Sequence, residues 1–227
     1  MITTFLIGFP FVAIVTNIPQ RSQAVNGFSA VRAGFTLLPL LLTSPFATAI
    51  SGVLTSRFKV PPIYIILIGA ILQLLGVGLT INLPDHSGNI SALQYVYEVI
   101  MGIGFGFTLT TILTLAQLVV DEHEAGLVMG ALTQVRVLGG TISVAICSTV
   151  LSSSLGPKLA TVITHDEAKA IADSLSAIDN LTPEKQESIR NEFAHGYNRQ
   201  MEFLTAFSGL ALLATFLLWE RQPRVVD

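Results

Sequence analysis

Apolar residues in this chain run on for long unbroken stretches, with neither the period-2 alternation of strands nor the one-sided stripe of surface helices. A helix needs roughly 20 mostly apolar residues to cross about 30 Å of hydrocarbon. Six stretches meet or approach that length: 1–18, 33–55, 62–81, 93–120, 125–151 and 203–219. Pro19 and Arg21 close the first, Arg57 and Lys59 the second, and Leu83-Pro84-Asp85 the third. Glu98 alone interrupts the fourth and Arg136 alone the fifth, while Trp219 stands where an interfacial aromatic belongs. Helices pair their own backbone groups in lipid, and internal Pro10, Pro39 and Pro45 each free a carbonyl and bend their helix. The pattern predicts an all-α membrane protein with six spanning helices.

Residues 152–202 break the pattern and hold 13 of the chain's 27 charged residues. Thr164-His165-Asp166-Glu167 has capping-box spacing, and Ala168, Ile171, Ala172, Leu175 and Ile178 follow at helical intervals. Thr182-Pro183-Glu184 is a second helix start, predicted to run through Phe193 and Tyr197 into the sixth span. With so few large apolar side chains this segment predicts short helices lying over one mouth of the bundle, not a domain that folds alone.

Composition agrees. Of 227 residues 51% are hydrophobic and 12% charged, about half the charge of an ordinary soluble domain. Soluble enzymes and nucleic-acid binders are excluded on that count, and a net charge of −3 offers no polyanionic partner. The one cysteine, Cys147, builds neither a disulfide framework nor a zinc site, and reads as a small buried side chain. The acidic Asp121–Glu124 link reads as a solvated turn, so no metal and no cofactor is expected. The first five residues lack the basic region of a signal peptide; the first span is entered abruptly, which points to further helices upstream.

If the six helices alternate, Arg57, Lys59, Arg221 and Arg224 fall on one side, which the positive-inside rule makes cytoplasmic together with the C-terminus. The opposite side receives 152–202 and both glycosylation sequons, Asn89-Ile90-Ser91 and Asn180-Leu181-Thr182. The plasma membrane is the expected location.

Several segments stand in a telling order: Pro19-Gln20-Arg21-Ser22-Gln23-Ala24-Val25-Asn26-Gly27, Ala33-Gly34 with Leu38-Pro39, Ser51-Gly52-Val53-Leu54-Thr55-Ser56-Arg57, Gly102-Ile103-Gly104-Phe105-Gly106 and Gln134-Val135-Arg136-Val137-Leu138-Gly139-Gly140. In that order they resemble the C-terminal half of a fungal major facilitator superfamily transporter, most similar to the fourteen-spanning drug:proton antiporter type. The resemblance covers nearly the whole chain. It implies a six-helix bundle of three plus three helices in inverted topology, proton-coupled efflux of small organic molecules by alternating access, and an N-terminal half-bundle as partner in the same or another chain. The family's loop motif is degraded at Gly52 and Arg57, where its acidic residue is missing.

Candidate chemistry is sparse. Arg136 at mid-helix would cost about 2.5–3.5 kcal/mol on insertion scales, so it faces a cavity or partner, unless the span begins at Val137 and its head snorkels to the interface. Glu98, near the outer end of its span, is a candidate proton carrier or an interfacial carboxylate; it pairs with Arg136 only if their depths match. Gln134, Gln117, Thr108 and Thr111 are candidates for a substrate path, although threonine also bonds its own helix. Gly102/Gly106, Gly126/Gly130 and Gly139-Gly140 give flat faces for close helix packing. No catalytic motif is present, so the chain is read as a non-enzyme whose partners are the lipid bilayer, protons and a small organic substrate. The competing readings are a truncated, non-transporting relic or scaffold, and a half-transporter that dimerises.

Overall fold

The computed structural model describes residues 1–83 and 90–219. The long helices are α1 (Ile2–Ala24), α3 (Leu38–Ser56), α4 (Pro62–Leu79), α5 (Ala92–Gln117), α6 (Glu122–Val162) and α8 (Pro183–Phe216), with short α2 (Ala30–Phe35) and α7 (His165–Asp173) between them. Among the described residues five helical stretches are long and apolar enough to cross a membrane, α2 and α3 together making one of them. Helix α8 is not among them. Its C-terminal part from Phe203 is apolar, but Arg199 and Glu202 lie immediately before it. It nonetheless packs in the bundle against α1, α4 and α6.

Boundaries differ from those read in the sequence where tertiary burial outweighs local signals. Helix α1 runs through Pro19 to Ala24, because Ala24 and Val25 are fully buried against α8 and the segment before it. The run 33–55 is split. Pro39 offers no N–H to residue 35, so the chain closes two short turns (Thr36 N–H to Ala33, 3.2 Å; Leu37 N–H to Gly34, 3.2 Å) and restarts with proline in the first turn of α3. Helix α6 does not stop at the serines 152–154 but continues to Val162, and α5 ends at Gln117, short of Val120.

The packing follows a three-plus-three plan. Helix α1 packs on α6 and α8, α5 packs on α3 and α4, and α4 meets α8. Exchanging α1 with α5, α3 with α6 and α4 with α8 maps these pairs onto one another, as an internal inverted repeat requires. The α6–α8 pair departs from the plan, since both helices extend beyond the bundle and pack there on each other through Leu155, Phe193 and Tyr197.

Glycine sets the close approaches in both halves of this plan. A Cβ on Gly102 would strike Thr43 and the Leu40 carbonyl (2.8 Å), and one on Gly106 would strike the Ser44 carbonyl and Ala47 Cβ (2.6 Å), all on α3. In the counterpart pair, Gly8 of α1 lies against the backbone of Arg136, and Gly139 and Gly140 of α6 lie against Phe5 and Val12. Gly126 and Gly130 have nothing within 4 Å. Phe9, Ile14, Met101, Phe105 and Leu204 fill the centre, while Ile68, Leu75, Leu210 and Leu213 are exposed on the outside, a surface suited to hydrocarbon.

One end of the bundle carries a cap made of the α6 extension, α7, a 3₁₀ turn (Leu175–Asn180) and the first half of α8. Ile171, Ile178, Ile189 and Phe193 form its core, completed by Ala24 at the end of α1 and by Val25, which caps that helix. Arg190 fastens it: its guanidinium donates to the Ala24 and Val25 carbonyls (3.3 Å each) and to Asp179 (2.6 Å). The last turn of α1 has carbonyls without helical partners, and the cation sits at the negative end of that helix. Gly27, at φ +68, turns the chain away; a Cβ there would stand 2.9 Å from the guanidinium.

Candidate functional site

Helix α5 carries the one fully buried acid among the described residues. Glu98 has no exposed surface. Its Oε1 accepts a hydrogen bond from Gln94 Nε2 one turn earlier (2.9 Å), and its Oε2 has no partner. Leaving a carboxylate oxygen unpaired in a dry core is costly. Neither α3 nor α4 brings a charged residue to it.

Arg136 lies elsewhere. Its Nη1 reaches the Leu109 carbonyl (3.4 Å), and Leu109 stands eleven positions from Glu98 along α5, about 16 Å. The two do not form a pair, because their depths differ. Arg136 is half-buried and fourteen positions into α6, about 21 Å from its start, so it is well inside the helix.

The other candidates scatter. Thr108 is buried and bonds the Gly104 and Phe105 carbonyls of its own helix (3.0 and 3.2 Å). Thr111 is buried with an unpartnered hydroxyl. Gln117 and Gln134 are exposed, as are Gly52 and Arg57, the latter capping α3. Asn180 is exposed at the end of the 3₁₀ turn. Asn89 lies outside the described residues, as do Arg221 and Arg224.

Two features escaped the sequence reading. Asn17, Ser143, Cys147 and Gln200 form a buried polar knot joining α1, α6 and α8: the thiol lies against Asn17 and Ser143, and Gln200 Nε2 donates to the Cys147 carbonyl (2.7 Å). Asn17 inside an apolar run was the available signal. The second is an apolar groove of about 410 Å³ between the ends of α1, α5, α6 and α8 opposite the cap, lined by Thr4, Ile112, Ala116, Val128, Leu132 and Trp219 among others. Its size lies within the usual range for small-molecule sites.

A bundle of apolar helices, an inverted three-plus-three plan and a buried acid lead to one comparison that decides the family. Residues 1–144 match the profile of the Major Facilitator Superfamily. The chain belongs to that superfamily. It is 46% identical over 224 residues to the MFS-type transporter FPY5 of Fusarium mangiferae, covering 99% of this chain and 37% of that protein. It is 30% identical to the Aspyridones efflux protein of Neocamarosporium betae, over 80% of this chain and 32% of that protein. With Efflux pump DEP3 of Alternaria brassicicola the identity is 28%, over 94% and 38% respectively. The chain thus spans between 32% and 38% of the length of these relatives. Family membership and the apolar helices make it a multi-pass membrane protein, and its helical architecture is that of a facilitator bundle.

Proposed function

We propose that the chain is the C-terminal bundle of a proton-coupled exporter of small amphipathic organic molecules, completed by a second bundle in the same or another chain. The observation that carries this reading is the polar stripe on the open side of the bundle. In the most apolar stretches of α3 and α6 only 22% of the residues are buried, against 56, 50 and 44% in α1, α4 and α5. These two helices hold equivalent places in the three-plus-three plan, and α6 presents Gln134, Thr141 and Ser148, all exposed, at seven-residue spacing. A polar stripe on a membrane helix belongs against a partner or a water-filled path.

In this reading α8 from Phe203 to Trp219 is the sixth span, the C-terminus is cytoplasmic and the protein resides in the plasma membrane. Glu98 carries the proton, the apolar groove takes the hydrophobic part of the substrate, and Arg136 answers polar groups on the path.

The test begins with an immunoblot of source-cell membranes using an antibody to 157–200. A product about double the 24.3 kDa of the chain or more is expected. Vesicles holding that product should export an amphipathic dye when a pH gradient is imposed, and Glu98→Gln should remove the dependence on the gradient. A 24 kDa product with no co-purifying half-bundle and no export overturns the reading and leaves the relic or scaffold; export by a 24 kDa dimer overturns the need for a different second half.

A further inference from the structure

We propose that Asn180 carries an N-linked glycan, and that the capped end of the bundle therefore lies on the non-cytoplasmic side of the membrane. The sequon Asn180-Leu181-Thr182 spans the junction between the 3₁₀ turn and α8. Its backbone is extended, with Leu181 at φ −84, ψ 167 and Thr182 at φ −64, ψ 147. Asn180 and Thr182 are both exposed.

The hydrogen bonding of this junction separates backbone from side chains. The Gln186 side-chain amide ties down the Asp179 and Leu181 carbonyls (3.0 and 2.8 Å), which holds the extended shape. Thr182 precedes the first residue of α8, a place where threonine ordinarily accepts an amide hydrogen of the first turn. Here its side chain makes no such bond. Among the described residues nothing engages the Thr182 hydroxyl, which a glycosyltransferase must read, or the Asn180 side-chain amide two positions before it. Thr164, at the start of α7, shows the contrast, since its hydroxyl and amide are both taken by the Glu167 cap.

Reach supports the same assignment. Pro183 and Phe203 stand twenty positions apart on the unbroken helix α8, about 30 Å. The sequon is therefore held well clear of the apolar part of that helix, with room for a membrane-bound enzyme. The exposed cations of the short α3–α4 link, Arg57 and Lys59, lie at the other end, as the positive-inside rule asks.

In the transfer, Asn180 Nδ2 forms an N-glycosidic bond to C1 of a sugar carried on a lipid pyrophosphate. The bond from C1 to the pyrophosphate oxygen breaks, the lipid pyrophosphate leaves with the electron pair, and the amide proton passes to a base of the transferase. The inference rests on the cytoplasmic C-terminus of the proposed function but not on transport, so its failure is distinguishable from a failure of export.

The experiment expresses the full chain in yeast and treats microsomes with an N-glycosidase. The expected result is a downward shift of the wild-type band that Asn180→Gln and Thr182→Ala each reduce by one glycan, while Asn89→Gln leaves the Asn180 glycan in place. Both substitutions are on the surface, and size-exclusion profiles matching the wild type show that folding is kept. A wild-type band insensitive to the enzyme, or one whose shift ignores both substitutions, overturns the proposal. So does glycosylation of a sequon engineered into the α5–α6 link by Asp121→Asn with His123→Thr, since that end must be cytoplasmic.

Discussion

The close approach of α5 to α3 permits a quantitative test, Gly106→Ala. The added Cβ would meet the Ser44 carbonyl, Ala47 Cβ at 2.6 Å and the Thr48 amide nitrogen at 3.0 Å. Carbon atoms in contact normally stand about 3.5–4.0 Å apart, so α3 must retreat by about 1 Å. No rotamer relieves the clash, because the atoms struck are backbone or Cβ. Retreat also stretches two bonds that cross the seam, Thr48 Oγ1 to the Gly106 carbonyl and Thr110 Oγ1 to Thr48, both 3.2 Å already. Overpacking costs about 1–3 kcal/mol, and each interhelical bond in a membrane protein about 0.6 kcal/mol. Alanine's better helix propensity returns about 0.8–1.0 kcal/mol, so the expected net loss is about 1–3 kcal/mol, a fall of about 2–12 °C in melting midpoint for a chain of this size. The matched control is Gly130→Ala, where nothing lies within 4 Å and alanine is the better helix former by about 0.8–1.0 kcal/mol. Thermal unfolding of both variants in the same lipid nanodiscs decides the matter. A Gly106→Ala protein within about 0.5 kcal/mol of wild type, or a Gly130→Ala protein lowered equally, refutes the packing argument.

Three further outcomes are expected. Arg190→Ala should cost about 2–3 kcal/mol through its charge-assisted bonds to Ala24, Val25 and Asp179, and Gly27→Ala should loosen the same clamp, read as faster amide exchange at 21–27 and 175–190; unchanged exchange in both removes the clamp. The Thr164 amide and then Lys185 hold the Glu167 carboxyl below the ordinary carboxylate range. Its contribution is therefore full above that range and lost as pH falls through the lowered value, so exchange in α7 should rise on acidification in the wild type and vary less with pH in Glu167→Gln. Finally, Glu98→Gln and Arg136→Gln should act additively on melting to within about 0.5 kcal/mol, as independent sites do; a larger coupling would mean that they share a partner after all.

How far the sequence carried the fold can be seen residue by residue. Run length located the apolar helices because lipid imposes a physical minimum on them, whereas Pro39, read as a bend inside one span, in fact ends α2 and restarts the chain as α3. The capping box at Thr164–Glu167 and the continuity of α8 through Phe193 and Tyr197 were legible for the same reason, being made within one or two helical turns. What the sequence could not supply was depth and partner. Gly102/Gly106 and Gly126/Gly130 share one spacing, yet the first pair lies against α3 and the second faces open space. Glu98 and Arg136 are both ionisable groups in apolar runs, and only the relative slide of α5 and α6 separates them. Arg190 gives no local sign that it closes α1, since its partners Ala24 and Val25 lie more than 160 positions away.

That division bears on the open faces of α3 and α6. An isolated soluble bundle with so much apolar surface would aggregate; in a membrane the same surface meets lipid without penalty, so hydrophobicity by itself demands no partner for either helix. Only polar groups demand a partner there, and in these the two helices differ. The exposed positions of α3 include Leu41, Leu42, Phe46, Ile50 and Val53, whereas α6 exposes Gln134, Thr141, Ser148 and Ser152 beside apolar Leu127, Val137, Leu138 and Ile142. Hydroxyls can turn back onto their own helix, as Thr141 does to Leu138 (2.9 Å) and Thr149 to Ala145 (3.0 Å), and a helix of threonine and serine alone would be content in lipid. Gln134 has no such escape, because a primary amide carries two donors and an acceptor that one turn of backbone does not satisfy. It stands two positions before half-buried Arg136 on the same helix. If a second half-bundle covers this one, Gln134 is the residue whose environment should change most on assembly.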